Sequence, residues 1–403
     1  VLKHAPVNFR EMVMGEAYIV AAARTAGGKR GGKLKDWHPV DMGAHVINAL
    51  LDRSGANPDL IEDVICGCVS QVGQQAINVA RNAVMASRLP EHVPGTSVDR
   101  QCGSSQQSLH FAAQAVMSGS MDAVIAMGIE SMTRVPMGAS AALPMQNGMG
   151  TYMSPELQAK YPGIQFSQFM GAEMMATKYK LNKDQLDQFG YESHKKAIAA
   201  TQGGKFKDEV VALDIKAEDG SVSKHTIDEG IRFDASLDGI RGVKLLREGG
   251  AITAATSSQI CDGSSGVLVV NEKGLKALGV KPLARIHHMT VIGGDPVIML
   301  EAPLPATKRA LEKAGMKIGD IDLFEVNEAF ASVPVAWLQK TGADPERLNV
   351  NGGAIALGHP LGASGTKLMT TLLYALKDRN KKWGLQTMCE GGGLANVTIV
   401  ERL

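Results

Sequence analysis

NPDLIEDVICG (57–67) and IGDIDLFEVNE (318–328) have the same texture, an acidic turn followed by a buried strand. Asp63 and Asp322 stand 259 positions apart. Adding that offset to Cys102 reaches Leu361, inside HPLGASGTKLMTTLLYAL, a second small-residue lead into an apolar helix. Identity between the copies is faint, but order and spacing agree. Such a repeat predicts two similar α/β halves, and a sheet–helix layer shared between them would bury the pair.

Outward from the repeat, short β-branched runs alternate with helical ones. AYIVAAA (17–23), DVICGCVS (63–70), VPGTSVDR (93–100) and DAVIAMG (122–128) read as strands. PVDMGAHVINALLDRSG (39–55) and INVARNAVMASRL (77–89) read as helices. After Cys102, Leu109, Ala112, Ala113 and Val116 recur at helical spacing, and the helix stops at Gly119. This alternation predicts a mostly parallel sheet with helices on both faces. Residues 134–249 differ. MGASAALPMQNGMGTYM (137–153) has no clear period, and a polar helix (183–200) and a charged hairpin-like stretch (210–230) follow. The expected organisation is an extension over 1–14, a first half over 15–133 with 250–275, a loop or lid unit over 134–249, and a second half over 276–403.

Composition narrows the functional classes. Forty-four per cent hydrophobic and 21% charged residues are ordinary for a globular chain of 403 residues. A net charge of +1 leaves no footprint for nucleic acid or a membrane surface, although a local basic patch could bind an anionic cofactor. No run of eighteen apolar residues occurs, so no membrane span is expected. The first twenty residues show no signal-peptide core, and MGEAYIVAAARTA from Met14 is the more natural start. Five scattered cysteines, an odd number, do not form a disulfide framework and favour a reducing compartment. A cytoplasmic location is expected.

Cys102 opens a helix in VDRQCGSSQQS (98–108), where unpaired N–H groups and the macrodipole favour a thiolate; a buried small hydrophobe is the plain alternative. A nucleophile needs a base. His110, eight residues on, lies about 12 Å along the helix and cannot serve. His359 sits among glycines in NVNGGAIALGHPLGASG (349–365), where there is little for an imidazole to pack on. A phosphate cradle is the rival reading, but the Walker spacing and its Lys are missing. Cys389 precedes Gly391, Gly392 and Gly393, a second sulfur beside bare backbone donors. In VNEAF (326–330), Asn327 could orient water, and Glu328 could hold a histidine, bond to backbone or cap a helix. Cys66 and Cys68 share a strand face without further ligands, and His287-His288 lack partners. No metal site is expected.

VDRQCGSSQQS, VNEAFA, NGGAIALGHPLGASG and CEGGG together resemble the thiolase family, the 3-ketoacyl-CoA thiolases and acetyl-CoA acetyltransferases, from about residue 15 to the C-terminus. DRQCGSSQQ and CEGGGLANVTIVERL are closest in wording to degradative or steroid-type members. The resemblance implies a duplicated thiolase-like fold in α-β-α-β-α layers with an inserted loop domain. It also implies a CoA-dependent acyltransferase, cleaving 3-ketoacyl-CoA to acetyl-CoA and a shortened acyl-CoA or condensing in reverse. Cys102 would be the acylated nucleophile and His359 its base. Cys389 would move the α-carbon proton, and Asn327 would hold a water facing the enolate oxygen. The N–H groups of Cys102 and Gly391 would form the acyl-enzyme oxyanion hole. Arg232 and Ser258 match positions contacting CoA, and Met299, Ala329 and Phe330 match those lining the pantetheine and acyl path. CoA and acyl-CoA would be substrates, with no permanently bound cofactor, and the chain would form a homodimer or homotetramer.

Departures fall in the substrate region. MGAEMMA (170–176) replaces M-G-x-T-A-E-N, Phe169 stands where acetoacetyl-specific members carry His, and TAATSSQICDG (253–263) is also altered. Acyl specificity is therefore left open. A decarboxylating ketosynthase-like enzyme and a non-catalytic acyl-CoA or lipid-binding relative are the alternatives. Cys389 argues against the first, and the joint presence of Cys102, Cys389, His359 and Asn327 against the second. A cysteine hydrolase fits least, explaining neither Cys389 nor the repeat.

Overall fold

A computed structural model describes residues 15–403; the extension read over 1–14 lies outside the described residues. The chain begins with β1 (Tyr18–Thr25), β2 (Gly28–Lys29), α1 (Pro39–Ser54), β3 (Asp63–Gly67), α2 (Val79–Ala86), β4 (Gly95–Val98), α3 (Ser104–Met117) and β5 (Ala123–Ser131). A long connection carries α4 (Ala139–Gln146), α5 (Pro155–Lys160), α6 (Gln168–Lys178) and α7 (Lys183–Gln202). It continues through β6 (Val210–Val211), β7 (Leu213–Lys216), β8 (Val222–His225) and α8 (Leu237–Arg241), then returns as β9 (Cys261–Val270) and α9 (Glu272–Leu278). Next come β10 (Ala284–Gly293), α10 (Pro303–Ala314), β11 (Leu323–Val326), α11 (Ser332–Thr341) and α12 (Ala354–Leu357). The chain ends with α13 (Ser364–Asp378), β12 (Trp383–Glu390) and β13 (Leu394–Arg402).

The repeat is visible in the strand order. One half runs β1-β9-β5-β3-β4 and the other β10-β13-β12-β11, joined edge to edge through β1 and β10. Pair by pair the directions match: β1–β9 and β10–β13 are antiparallel, β9–β5 and β13–β12 antiparallel, β5–β3 and β12–β11 parallel. α3 and α13 begin at Ser104 and Ser364, 260 positions apart. The sheet is thus mixed rather than mostly parallel. β12 and β13 are joined by a three-residue glycine turn, too short for the crossover that a parallel pair needs. In the first half the long connection takes the place of that turn, and β9 returns antiparallel to β5.

Burial follows the layers. One core packs α1 and α2 on the first half of the sheet; another packs α10 and α11 on the second half. Between the halves, Leu109 and Val116 of α3 share a third core with Met369, Leu372 and Leu376 of α13. Full burial of each such side chain contributes about 1.5–3 kcal/mol. The connection is tied to β1 by a buried ion cluster, in which Arg24 holds Glu209 at 2.5 Å and Asp228 at 2.8 Å. Both central helices start at the same end of the molecule as the glycine turn, and that end carries the candidate site.

Candidate active site

Cys102 is presented by a tight turn. Asp99 Oδ1 accepts the Gln101 N–H at 2.7 Å, and Gln101 takes a left-handed φ of 49°, uncommon for a side chain of its size. The Arg100 N–H donates to Ser104 Oγ at 2.9 Å, closing the turn onto the head of α3. Cys102 is 7% exposed and lines a cavity of about 1030 Å³. The N–H groups of Gly391 and of Cys102 itself face its sulfur. A Cβ at residue 391 would press on the Gln101 side chain, whose Oε1 would lie 2.9 Å from it. The helix start does not win the electrostatics, contrary to the sequence expectation. Burial and the nearby Glu390 push the thiol up to about 12, outweighing the two N–H groups.

His359 follows a left-handed Gly358, with its N–H bonded to Gln259 O at 3.0 Å. Its Nδ1 lies 2.5 Å from Ser364 Oγ, and that hydroxyl donates to Pro360 O at 2.9 Å. Ser364 therefore accepts from Nδ1–H, leaving the lone pair on Nε2. Asn327 Nδ2 donates to that Nε2 at 3.3 Å. Burial, and then Lys367, push His359 down to about 3. The Lys367 ammonium is itself bonded to the carbonyls of Leu357 and Gly358, bracing the turn just before the histidine. At rest the site holds a neutral thiol and a neutral imidazole with a fixed tautomer.

Pairing of β11 with β12 brings Asn327 beside the end of β12, its N–H bonded to Thr387 O at 3.0 Å. Cys389 lies there, buried in the same apolar cluster as Met299, Ala329 and Phe330. Burial, Cys102 and Glu390 all push its thiol up. A chain of neighbours thus links Cys102, Gly391, Cys389, Asn327 and His359. Met299 lines the cavity in a left-handed conformation, φ 59°, with its N–H on Asp295 O at 3.0 Å. Ser258 donates its N–H to Ala329 O at 2.9 Å, and the ring of Phe330 meets Phe169 edge-on at 5.4 Å between centroids. Arg232 stands apart. It is exposed beside His194 on α7 and is not among the residues lining the cavity.

Other residues found their places only in three dimensions. Glu328 holds no histidine; it accepts from Ser193 Oγ at 2.6 Å, from Asn349 Nδ2 at 2.8 Å and from the Ile355 N–H in the first turn of α12 at 3.1 Å, so it bonds to backbone and caps that helix from a distance. It ties α7 to the loop before His359. Cys66, Cys68 and Cys261 are buried away from the cavity, and Cys68 faces Glu130. Ser364, Lys367 and Glu390 were missed. Only Ser364 carried a signal, standing five residues after His359 in the glycine-rich turn. No cluster of metal-ligating side chains occurs among the described residues.

Comparison with known proteins agrees with this geometry. Residues 17–273 match the model of the thiolase N-terminal domain and 280–402 that of the thiolase C-terminal domain. Steroid 3-ketoacyl-CoA thiolase FadA6 of Mycobacterium tuberculosis is 48% identical over 401 residues, covering 98% of this chain and 96% of the relative. The 3-ketoacyl-CoA thiolases of Pseudoalteromonas translucida and Yersinia pestis are each 40% identical, covering 97% of this chain and 100% of their own. The chain belongs to the thiolase family, as a CoA-dependent acyltransferase that cleaves 3-ketoacyl-CoA thiolytically or runs the reverse condensation.

Proposed function

We propose that Cys102 attacks C3 of the 3-ketoacyl-CoA while its proton passes to His359 Nε2, the Asn327 Nδ2–H giving up that lone pair as the proton arrives. The observation that carries this reading is the Cys102 sulfur on the cavity wall, with the Gly391 N–H against it. Those same N–H groups, of Cys102 and Gly391, receive the oxyanion of the acyl-enzyme. The C2–C3 bond then breaks, leaving an enolate of acetyl-CoA, whose thioester oxygen faces His359 and a water on Asn327. Cys389 gives its proton to C2, and acetyl-CoA departs. A second CoA gives its thiol proton to the Cys389 thiolate and takes the acyl group from Cys102, and the Cys102 thiolate so released takes back its proton from His359 Nε2. Starting both sulfurs and the imidazole neutral means no charge is buried until substrate arrives to share it. Ser258, Met299, Ala329 and Phe330 would flank the pantetheine and acyl path, and Arg232 would meet the outer part of CoA.

The acyl group is proposed to be bulky and the physiological direction cleavage. Met137, Met149, Tyr152, Tyr161, Phe166 and Met299 give the cavity wide apolar walls. Its volume stands at the upper end of the roughly 300–1,000 Å³ of small-molecule sites. Phe169, packed on Phe330, keeps that region apolar, and a relative named as a steroid thiolase is 48% identical. Across a panel of 3-ketoacyl-CoA thioesters, a bulky cyclic substrate is expected to exceed acetoacetyl-CoA in kcat/KM by roughly tenfold or more. Preference for acetoacetyl-CoA contradicts the assignment.

We assign residues 134–249 as a loop or lid unit on the first half (15–133 with 250–275), with 276–403 as the second. A cytoplasmic location is inferred from the five free cysteines; no helix of the described residues is long and apolar enough to cross a membrane. A homodimer or homotetramer is supported by the open edge of β4 and by exposed Ile77, Met85 and Phe111. Light scattering is expected to give two or four times the mass of one chain; a single-chain mass removes this part of the proposal.

A further inference from the structure

Glu390 ends β12 and has no task in the chemistry above. Strand alternation sends its side chain to the face opposite Cys389, toward α3. Its carboxyl lies against Gly103, where any side chain would collide with it. It is fully buried, and neither oxygen makes a hydrogen bond. The Asn396 N–H on β13 is near enough to favour a charge but lacks bonding geometry. The titratable and charged groups around it are Arg100 before α3, Cys102 at its head and Cys389 on its own strand. Further along α3, His110 is neutral and engaged with Thr398 and Asn396. An unpaired carboxylate in such a place is costly, so the group rests as the neutral acid.

We propose that Glu390 is a positioning residue for thiolate formation that works only while uncharged: on Gly103 it tolerates the Cys102 thiolate, and its own ionisation opposes it. The inference rests on reading Cys102 as the nucleophile. Burial pushes Glu390 up to about 8 against the pull of Arg100. Below that pH the acid is neutral and the Cys102–His359 pair ionises without interference. Above it the proton is lost to solvent, a negative charge sits beside the sulfur, and Cys102 holds its proton more tightly. No bond to substrate is made or broken by Glu390.

The test is the rate of Cys102 alkylation by iodoacetamide, a neutral probe, on the full chain as a function of pH. Glu390→Gln keeps the shape and removes the ionisation. At ~pH 9 its Cys102 is expected to react about tenfold faster than in the native protein, the value of one pKa unit. Identical pH profiles overturn the proposal. Should Glu390→Gln not fold, the native profile decides. Its logarithmic slope is expected to flatten across about pH 8 and steepen again beyond; an unbroken slope overturns the proposal. Labelling that persists unchanged in Cys102→Ser instead refutes the nucleophile assignment, and the two failures are told apart by peptide mapping.

Discussion

Cys102→Ser is expected to lose thiolytic turnover by roughly ten-thousand-fold or more, the scale seen when a covalent nucleophile is removed. The fold should survive, since Ser is no larger than Cys and the N–H groups of its own turn and of Gly391 can meet its hydroxyl, although the site also packs on Met132, Leu361, Leu368 and Met388. The loss has two parts. An alkoxide is harder to form than a thiolate beside an imidazole that burial has already pushed down to about 3. An ester on Ser would also be a poorer donor to CoA than a thioester. The mass of the enzyme after exposure to an acyl-CoA measures the first effect, discharge of that adduct by CoA measures the second, and steady-state cleavage of a 3-ketoacyl-CoA reads both together. Turnover within tenfold of the native protein would move the nucleophile elsewhere.

Cys389→Ala separates the two sulfurs. Acylation of Cys102 by a simple thioester is expected to change only a few-fold. Exchange of the acetyl-CoA α-protons with solvent should fall by roughly a hundred- to ten-thousand-fold, the range for one positioned acid–base group. Cys389 sits at the end of β12 with its thiol pushed up by burial, by Cys102 and by Glu390, which suits it to hold a proton until an enolate appears. Deuterium incorporation into acetyl-CoA reads the step directly. If exchange persists in the variant, another group performs it.

Much of this arrangement was legible in the chain. Alternating apolar runs located β1, α1, β3, α2, β4, α3 and β5 but not β9 or α9, and the 259-residue offset came within one position of the spacing between α3 and α13. Strand direction was not legible. Whether β9 meets β5 head to tail depends on how a connection of more than a hundred residues returns, and no local pattern records that. The site divided in the same way. Cys102, His359, Cys389 and Asn327 lie in short runs of unusual composition, so residue type and glycine spacing drew attention to them. Ser364 and Lys367 act by contact within the turn that leads into α13, which no composition pattern records, and the place of Glu390 exists only once β12 packs against the head of α3. The sign of the Cys102 shift failed for a related reason. A helix terminus is a local feature, whereas burial and the approach of Glu390 are long-range ones, and here they dominate.

Exposing the native protein to an acyl-CoA without free CoA, then mapping the modified peptide, tests the account most directly. The acyl group is expected on Cys102, within VDRQCGSSQQS, and adding CoA should release it as a new thioester. An adduct on Cys68, Cys261 or Cys389, or one on Cys102 that CoA does not discharge, would contradict it.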